Sequence, residues 1–292
     1  MSKYPNFTGP DFIGVGPEKT GTTWVDKQLR QHDNIWLPPV KELRFFWEYQ
    51  TFKPDNLANR IRHRNSWHAV QYKDYAKQTA FQLIRNPVKA LTSKRNQLRW
   101  DLSYLAGNHD FDWYKSTFPA DFRGLTGEIS PQYFFLRENT IQQMASAFSA
   151  TQIIITLRDP VDWLWSFTRM IRKNGDLAKM YGEVNTFVET KMRECSFSQS
   201  VKHWYSHFGE QRVKILFYED LCNSPWEYYT EICQFLGIAS LPELKNNVTE
   251  YVNQGIEEQK PDWFVEKVNE GWMEDIKKLT QMVPNVPATW LT

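Results

Sequence analysis

The segment Gly14-Val15-Gly16-Pro17-Glu18-Lys19-Thr20-Gly21-Thr22-Thr23-Trp24 gathers an ammonium and several hydroxyls around glycines. Glycine lets a backbone approach an anion closely. The start of a following helix adds free N–H groups and the positive end of its dipole. Lys19, Thr20, Gly21, Thr22 and Thr23 therefore read as a phosphate cradle. The spacing is not that of a nucleoside triphosphatase P-loop, where lysine directly follows the last glycine. Here Thr22 follows Gly21, and Lys19 stands ahead of it. A glycine-rich turn with a surface lysine is the plainer alternative, and the density of donors around Gly21 argues against it.

A second anion-binding group is Arg158, which follows the β-branched run Ile153-Ile154-Ile155-Thr156-Leu157. It stands at the carboxyl end of a predicted central strand, where parallel sheets place ligands. A P-loop triphosphatase tends to have a metal-binding aspartate at such a strand end. An arginine there offers phosphate a bidentate fork. Asp159-Pro160 reads as the N-cap and first residue of the next helix. Ser166 lies in that helix and, on residue type alone, is an ordinary helix serine. The histidines, at positions 32, 63, 68, 109, 203 and 207, are candidate bases; His203 and His207 sit one helical turn apart. Cys195, Cys222 and Cys233 show no Cys-x-x-Cys spacing, so neither a disulfide framework nor a zinc site is expected. No other metal-ligand cluster is evident; the cysteine usage suggests a reducing compartment, and the lack of a membrane anchor a cytoplasmic one.

These groups need a scaffold, and the chain alternates apolar strands with amphipathic helices. Strands are predicted at Phe12–Gly16, Leu125–Ile129, Ile153–Leu157 and Val213–Tyr218. Helices are predicted at about Thr20–Gln31, from Asp159-Pro160 to Asn174-Gly175, at Phe197–Phe208, from Ser224-Pro225 to Gly237, and near 262–280. Ser224-Pro225-Trp226-Glu227 has the form of a capping box. The pattern implies a three-layer α/β domain, 1–292, with a mostly parallel sheet and helices on both faces. A hydrophobic fraction of 41% and a charged fraction of 24% over 292 residues suit such a core. No apolar run is long enough for a membrane span, and the N-terminus lacks the apolar core of a signal peptide. The net charge of +1 conceals an asymmetry, since residues 41–99 hold 13 basic and 4 acidic side chains. Either this is a solvated basic surface or it attracts an anionic partner.

The motifs together resemble the sulfotransferases that use 3′-phosphoadenosine 5′-phosphosulfate (PAPS). Lys19-Thr20-Gly21-Thr22-Thr23-Trp24 after a hydrophobic strand resembles their 5′-phosphosulfate loop. Leu157-Arg158-Asp159-Pro160 with Ser166 is similar to their 3′-phosphate site. Lys41-Glu42-Leu43-Arg44-Phe45-Phe46 resembles the Lys-Glu-x-x-Phe-Phe segment of the heparan-sulfate-type branch and its bacterial relatives. Asp112-Trp113-Tyr114 and Gly127-Glu128-Ile129-Ser130-Pro131-Gln132-Tyr133-Phe134 are similar to that branch as well. Tyr218-Glu219-Asp220-Leu221 and Phe235-Leu236-Gly237 match the family's later strand and helix. The resemblance spans roughly 9–280. Two departures stand out: Ile129 occupies a position where the branch often has lysine, and Lys260 is the sole candidate for the family's late basic loop.

The resemblance implies a P-loop-NTPase-like sulfotransferase fold, PAPS as donor, adenosine 3′,5′-bisphosphate as product, and no metal. Lys19 and Glu42 become the catalytic pair, with Glu42 as the base that takes the acceptor's proton. Lys19, Thr20, Gly21, Thr22, Thr23, Trp24, Arg158 and Ser166 become cofactor contacts. Lys41, Phe45, Glu128 and Ser130 fall on the acceptor side. Phe45 and Phe46 are expected to lower the solvation of Glu42 and raise its basicity, and His109 is the competing base. The acceptor is a glycan or small hydroxylated molecule, and the basic interval favours an anionic one. No nucleic acid or membrane partner is implied. A P-loop kinase and a non-catalytic anion- or glycan-binding relative are the competing readings.

Overall fold

The computed structural model describes residues 9–52, 75–77, 95–245, 248 and 258–291. The strands are β1 (Phe12–Val15), β2 (Ile35–Trp36), β3 (Leu125–Ile129), β4 (Gln152–Leu157) and β5 (Val213–Phe217). They lie in the order β2-β3-β1-β4-β5, with every pairing parallel. The helices are α1 (Thr22–Leu29), α2 (Phe45–Phe52), α3 (Arg95–Ala106), α4 (Phe111–Ser116), α5 (Glu138–Ala147) and α6 (Pro160–Lys173). They continue with α7 (Asp176–Met180), α8 (Val184–Glu194), α9 (Phe197–Phe208), α10 (Tyr218–Asn223), α11 (Pro225–Leu236) and α12 (Asp262–Met282).

Strand alternation divides the core. Ile13, Val15, Ile153 and Ile155 enter one apolar cluster, while Phe12 and Ile154 enter another on the opposite face. Trp24, Val25 and Leu29 of α1 and Tyr228, Tyr229 and Ile232 of α11 cover the second face. Trp163 of α6, Trp204 of α9 and Trp272 of α12 cover the first. The product is the expected three-layer α/β architecture. Because β1 lies inside the sheet and the chain crosses it between β3 and β4, the carboxyl ends of β1, β3 and β4 share the edge where such sheets form their ligand crevice.

Local signals account for most boundaries. Asp159 caps α6 by accepting from the N–H groups of Val161 and Asp162, with Pro160 in the first turn. Gly237 ends α11 in the left-handed conformation, φ 72°, and Ile238 N–H bonds back to Cys233 O at 3.0 Å. The capping box at Ser224 does not form. Ser224 takes φ −144°, ψ 66° and makes no side-chain cap bond, so Pro225 alone sets the start of α11. Arg60, Arg62, Arg64, Lys89 and Lys94 of the basic interval, and the Asn86-Pro87 helix start, lie outside the described residues.

Gly16 is a tight point of the scaffold beside the phosphate loop. It has φ 151°, and a Cβ there would run into the backbone and hydroxyl of Thr156 on β4. Gly16→Ala is expected to cost about 2–3 kcal/mol through overpacking and strain. Thermal denaturation should show this as a lower Tm, and an unchanged Tm would mean that the loop has room to shift.

Candidate active site

The loop after β1 is folded by its own hydroxyls. Thr20 is fully buried; its Oγ1 lies 2.7 Å from Pro17 O and 2.7 Å from Thr156 Oγ1, fixing the loop against β4. Lys19 adopts φ 74° and Gly21 φ 89°. At Gly21 a Cβ would come within 2.7 Å of Leu221 Cδ2. No side chain caps α1, so its first N–H groups are available to an anion. Thr22 is buried in the first turn, and the half-buried Thr23 accepts a 2.7 Å bond from Lys41 Nζ. Trp24 faces inward: its indole N–H donates to Val248 O at 3.0 Å and its ring meets Tyr228 edge-on.

Arg158 leaves β4 and returns to the loop, with Nη1 3.4 Å from Lys19 O. Its guanidinium lies 4.5 Å from the Tyr218 ring centroid, and Asp162 Oδ2 stands 3.6 Å from Nη2. Its Nε is buried without a partner. Ser166 is buried further along α6. Burial, followed by the fields of Arg158, Arg169 and Lys173, lowers the Lys19 ammonium from its ordinary value. Positive charge therefore accumulates beside the loop. Lys260 pairs with Asp162, on the flank of the Arg158 site.

The opposite wall is the turn between β2 and α2. Glu42 and Arg44 both occupy the left-handed region, φ 64° and 57°. Arg44 Nη2 and Nε reach Glu42 Oε2 at 2.5 and 3.1 Å, Gln132 Nε2 reaches it at 3.1 Å, and Lys41 Nζ is 3.3 Å from Oε1. Burial raises the Glu42 pKa, but the charges of Arg44 and Lys41 and the bonds from Arg44 and Gln132 outweigh it. The carboxyl ends below its ordinary value. The expected role of the two phenylalanines is thus corrected. Phe45 and Phe46 point into the core, Phe45 stacked on Tyr114 at 4.9 Å, and cations rather than aromatics set the charge state of Glu42. Lys41 bridges Thr23 and Glu42 and so links the two walls.

Glu128 and Ser130 are not surface groups of the crevice. Glu128 is 1% exposed and Ser130 0%. Tyr114 OH donates to Glu128 Oε1 at 2.5 Å and Ser130 Oγ to Oε2 at 2.7 Å. Burial pushes the Glu128 carboxyl up to about 7, against the pull of these bonds. A carboxyl raised in the folded state stabilises fully below its ordinary pKa of 4.5, and that contribution disappears as pH rises through 7. The stability of the parent relative to Glu128→Gln should therefore fall between pH 4.5 and 7, by about 3 kcal/mol. Urea unfolding at pH 5 and pH 8 checks this; a difference that does not vary with pH would refute it.

Arg44, Gln132 and Glu18 belong to the site and were not read from the sequence as members of it. Arg44 occupies an x position of its motif, and Gln132 reaches Glu42 across 90 residues of sequence. Glu18 holds Trp163 Nε1 at 2.7 Å through its carbonyl. Burial raises its carboxyl pKa, and the nearby Glu42 adds to the rise. The only sequence signal for these residues was their place inside motifs already noted. His109 is buried and stacked on Trp113 with centroids 3.7 Å apart. His203 and His207 face Glu138 at 3.5 and 3.3 Å, and His32 joins Ala239 O to Asn34 N–H. Among the described residues no group of three His, Cys, Asp or Glu side chains is arranged to hold a metal, and no helix is long and apolar enough to cross a membrane.

Comparison with known proteins bears on this geometry. The family model described as a sulfotransferase domain matches residues 9–280. No curated protein sequence matches the chain. Among solved structures, the chain is similar to a sulfotransferase from Alicyclobacillus acidocaldarius, with TM-score 0.64 and 21% identity over 98% of this chain and 100% of that one. It is also similar to the sulfotransferase domain of the Synechococcus PCC 7002 olefin synthase, with TM-score 0.55 and 17% identity over 97% and 98% of the two chains. Mouse sulfotransferase SULT7A1, solved in complex with PAP, aligns with TM-score 0.52 and 14% identity over 94% of this chain and 85% of that one.

Proposed function

The chain belongs to the sulfotransferase domain family, and we propose that its residues 1–292 act as one PAPS-dependent domain that sulfates a hydroxyl or amine of an acceptor, with Glu42 as base. The observation that carries this reading is the union of the loop with Arg158. Lys19, the open start of α1 and the fork of Arg158 converge on one crevice, joined by the bond from Arg158 Nη1 to Lys19 O. The unpartnered Nε of Arg158 and the like-charge field on Lys19 both favour a ligand carrying several negative charges. A donor with phosphates at both ends of an adenosine fits that demand. The Lys-Glu-x-x-Phe-Phe segment supports kinship with the heparan-sulfate-type branch.

PAPS, when bound, supplies a sulfuryl group whose bond to the 5′-phosphate breaks as a bond to the acceptor atom forms, the phosphate keeping the electron pair. The protein's part is positioning and charge. Lys19, Thr22, Thr23 and the α1 N–H groups hold the 5′ end and stabilise charge on the leaving phosphate. Arg158 and Ser166 hold the 3′-phosphate. Thr20, with its hydroxyl turned to Pro17 and Thr156, and Trp24, packed beneath, keep the loop in shape around Gly21. Glu42 removes the acceptor's proton. Lys41 and Arg44 face the acceptor side, and Phe45 anchors that wall through Tyr114. An anionic acceptor, such as an acidic glycan, would compete with Glu42 for Arg44 and so relieve the cationic hold that depresses the base. The three unpaired cysteines suit a cytoplasmic setting.

A screen of paired anionic and neutral acceptors with PAPS, reading release of adenosine 3′,5′-bisphosphate, tests the reading. By calorimetry, that nucleotide should bind well above ATP. Arg158→Ala should remove about 1.5–3 kcal/mol of its binding. Equal or tighter binding of ATP would favour a kinase instead. Nucleotide binding without turnover on any acceptor would favour a non-catalytic relative.

A further inference from the structure

The turn that carries Glu42 has two residues in the left-handed region, Glu42 and Arg44, and neither is glycine. Such backbone costs free energy and persists only where its surroundings hold it. The hold comes from β3 and the short helix after it. Arg44 N–H donates to Ser130 Oγ at 3.3 Å, and Ser130 Oγ donates onward to Glu128 Oε2 at 2.7 Å. Phe46 N–H donates to Tyr133 OH at 3.3 Å. Tyr114 OH completes the set from α4, at 2.5 Å from Oε1.

We infer that Glu128 is a positioning residue for the proposed base: its buried carboxyl group accepts from Ser130 Oγ, which accepts the backbone N–H of Arg44, and this link fixes the turn that sets Glu42 against Lys41 and the phosphate loop. Glu128 acts through the turn and not on the substrate. Its side chain is 1% exposed, so an acceptor cannot reach it without the wall opening. A carboxyl group suits the task because its two oxygens can accept from the Tyr114 and Ser130 hydroxyls at once. The aromatic packing adds rigidity: Phe46 meets Tyr114 and Tyr133 edge-on at 4.9 and 5.5 Å. This inference rests on the reading of Glu42 as base, and the test separates the two.

Glu128→Gln keeps the shape and replaces one acceptor oxygen with an NH2 that faces donors. The experiment compares the parent, Glu128→Gln, Glu42→Gln and the double variant. Hydrogen exchange of the Arg44 amide needs no acceptor. It should quicken at least tenfold in Glu128→Gln and stay near parent rates in Glu42→Gln. Adenosine 3′,5′-bisphosphate affinity should stay within about twofold, because the cradle lies on another wall. With PAPS and the acceptor found by the screen, kcat should fall by about 10²-fold, with the acceptor KM changed far less, the size expected for a small misplacement of a reacting group. In the Glu42→Gln background the same substitution should change kcat by less than about threefold, as for residues acting as one unit. Unchanged amide exchange, or losses that multiply fully in the double variant, would overturn the positioning role. Normal turnover of Glu42→Gln would overturn the base while leaving the exchange result to stand. If Glu128→Gln does not fold, Ser130→Ala cuts the same link and should quicken exchange at Arg44.

Discussion

Glu42→Gln is expected to lower turnover of PAPS by roughly 10²–10⁴ while leaving the affinity for adenosine 3′,5′-bisphosphate unchanged. The amide cannot accept the acceptor's proton, yet it retains the size of the side chain and a carbonyl oxygen for Arg44, Lys41 and Gln132. The pH dependence provides a second criterion. The cations beside Glu42 hold its carboxyl below the ordinary 4.5, so it is already deprotonated at neutral pH. Activity limited by this base should decline only on the acid side of that value. A histidine base would instead give an acid limb near its usual pKa of about 6.5. Near-normal turnover of the variant, or an acid limb at histidine's position, would move the base elsewhere, with His109 the next to mutate. Since His109 is buried against Trp113, such a result would also require that region to open.

The second large effect is expected at Lys19. Lys19→Ala should reduce turnover by about 10²–10³, the scale for removing one donor aimed at charge that develops in the transition state. Its effect on kcat should exceed its effect on product affinity, because the leaving phosphate gains charge during transfer. Stability should not suffer, since Arg158, Arg169 and Lys173 all act on Lys19 as like charges and the substitution relieves that repulsion. Steady-state kinetics and a thermal melt on one preparation separate the outcomes. A variant with normal kcat but poor nucleotide affinity would make Lys19 a binding group only.

The residue order determined a good part of this protein. The uninterrupted Ile153–Leu157 run fixes β4, since branched side chains suit a strand buried on both faces. Asp159-Pro160 sets the start of α6 and Gly237 the end of α11, each by backbone chemistry that needs only near neighbours. The phosphate loop was legible for the same reason: its glycines and donors act over a few bonds. The loop after β1 and the arginine after β4 come together because parallel strands deliver their carboxyl ends to one edge, so the alternating pattern already implied their meeting.

Tertiary structure alone decided what those groups experience. Ser224 has the residue types of a capping box, but its backbone leaves the geometry and no cap bond forms. Phe45 and Phe46 turn into the core beside Tyr114, while Glu42 meets Arg44, Lys41 and Gln132, so its pKa falls where aromatic neighbours would have raised it. Glu128 and Ser130, read as crevice residues, become a buried support for the opposite wall. Gln132 lies 90 residues from Glu42, and Ser130 lies 86 from Arg44. A pKa depends on burial and on charges within a few ångströms, and only the folding of β3 beside β2 brings these groups to that range.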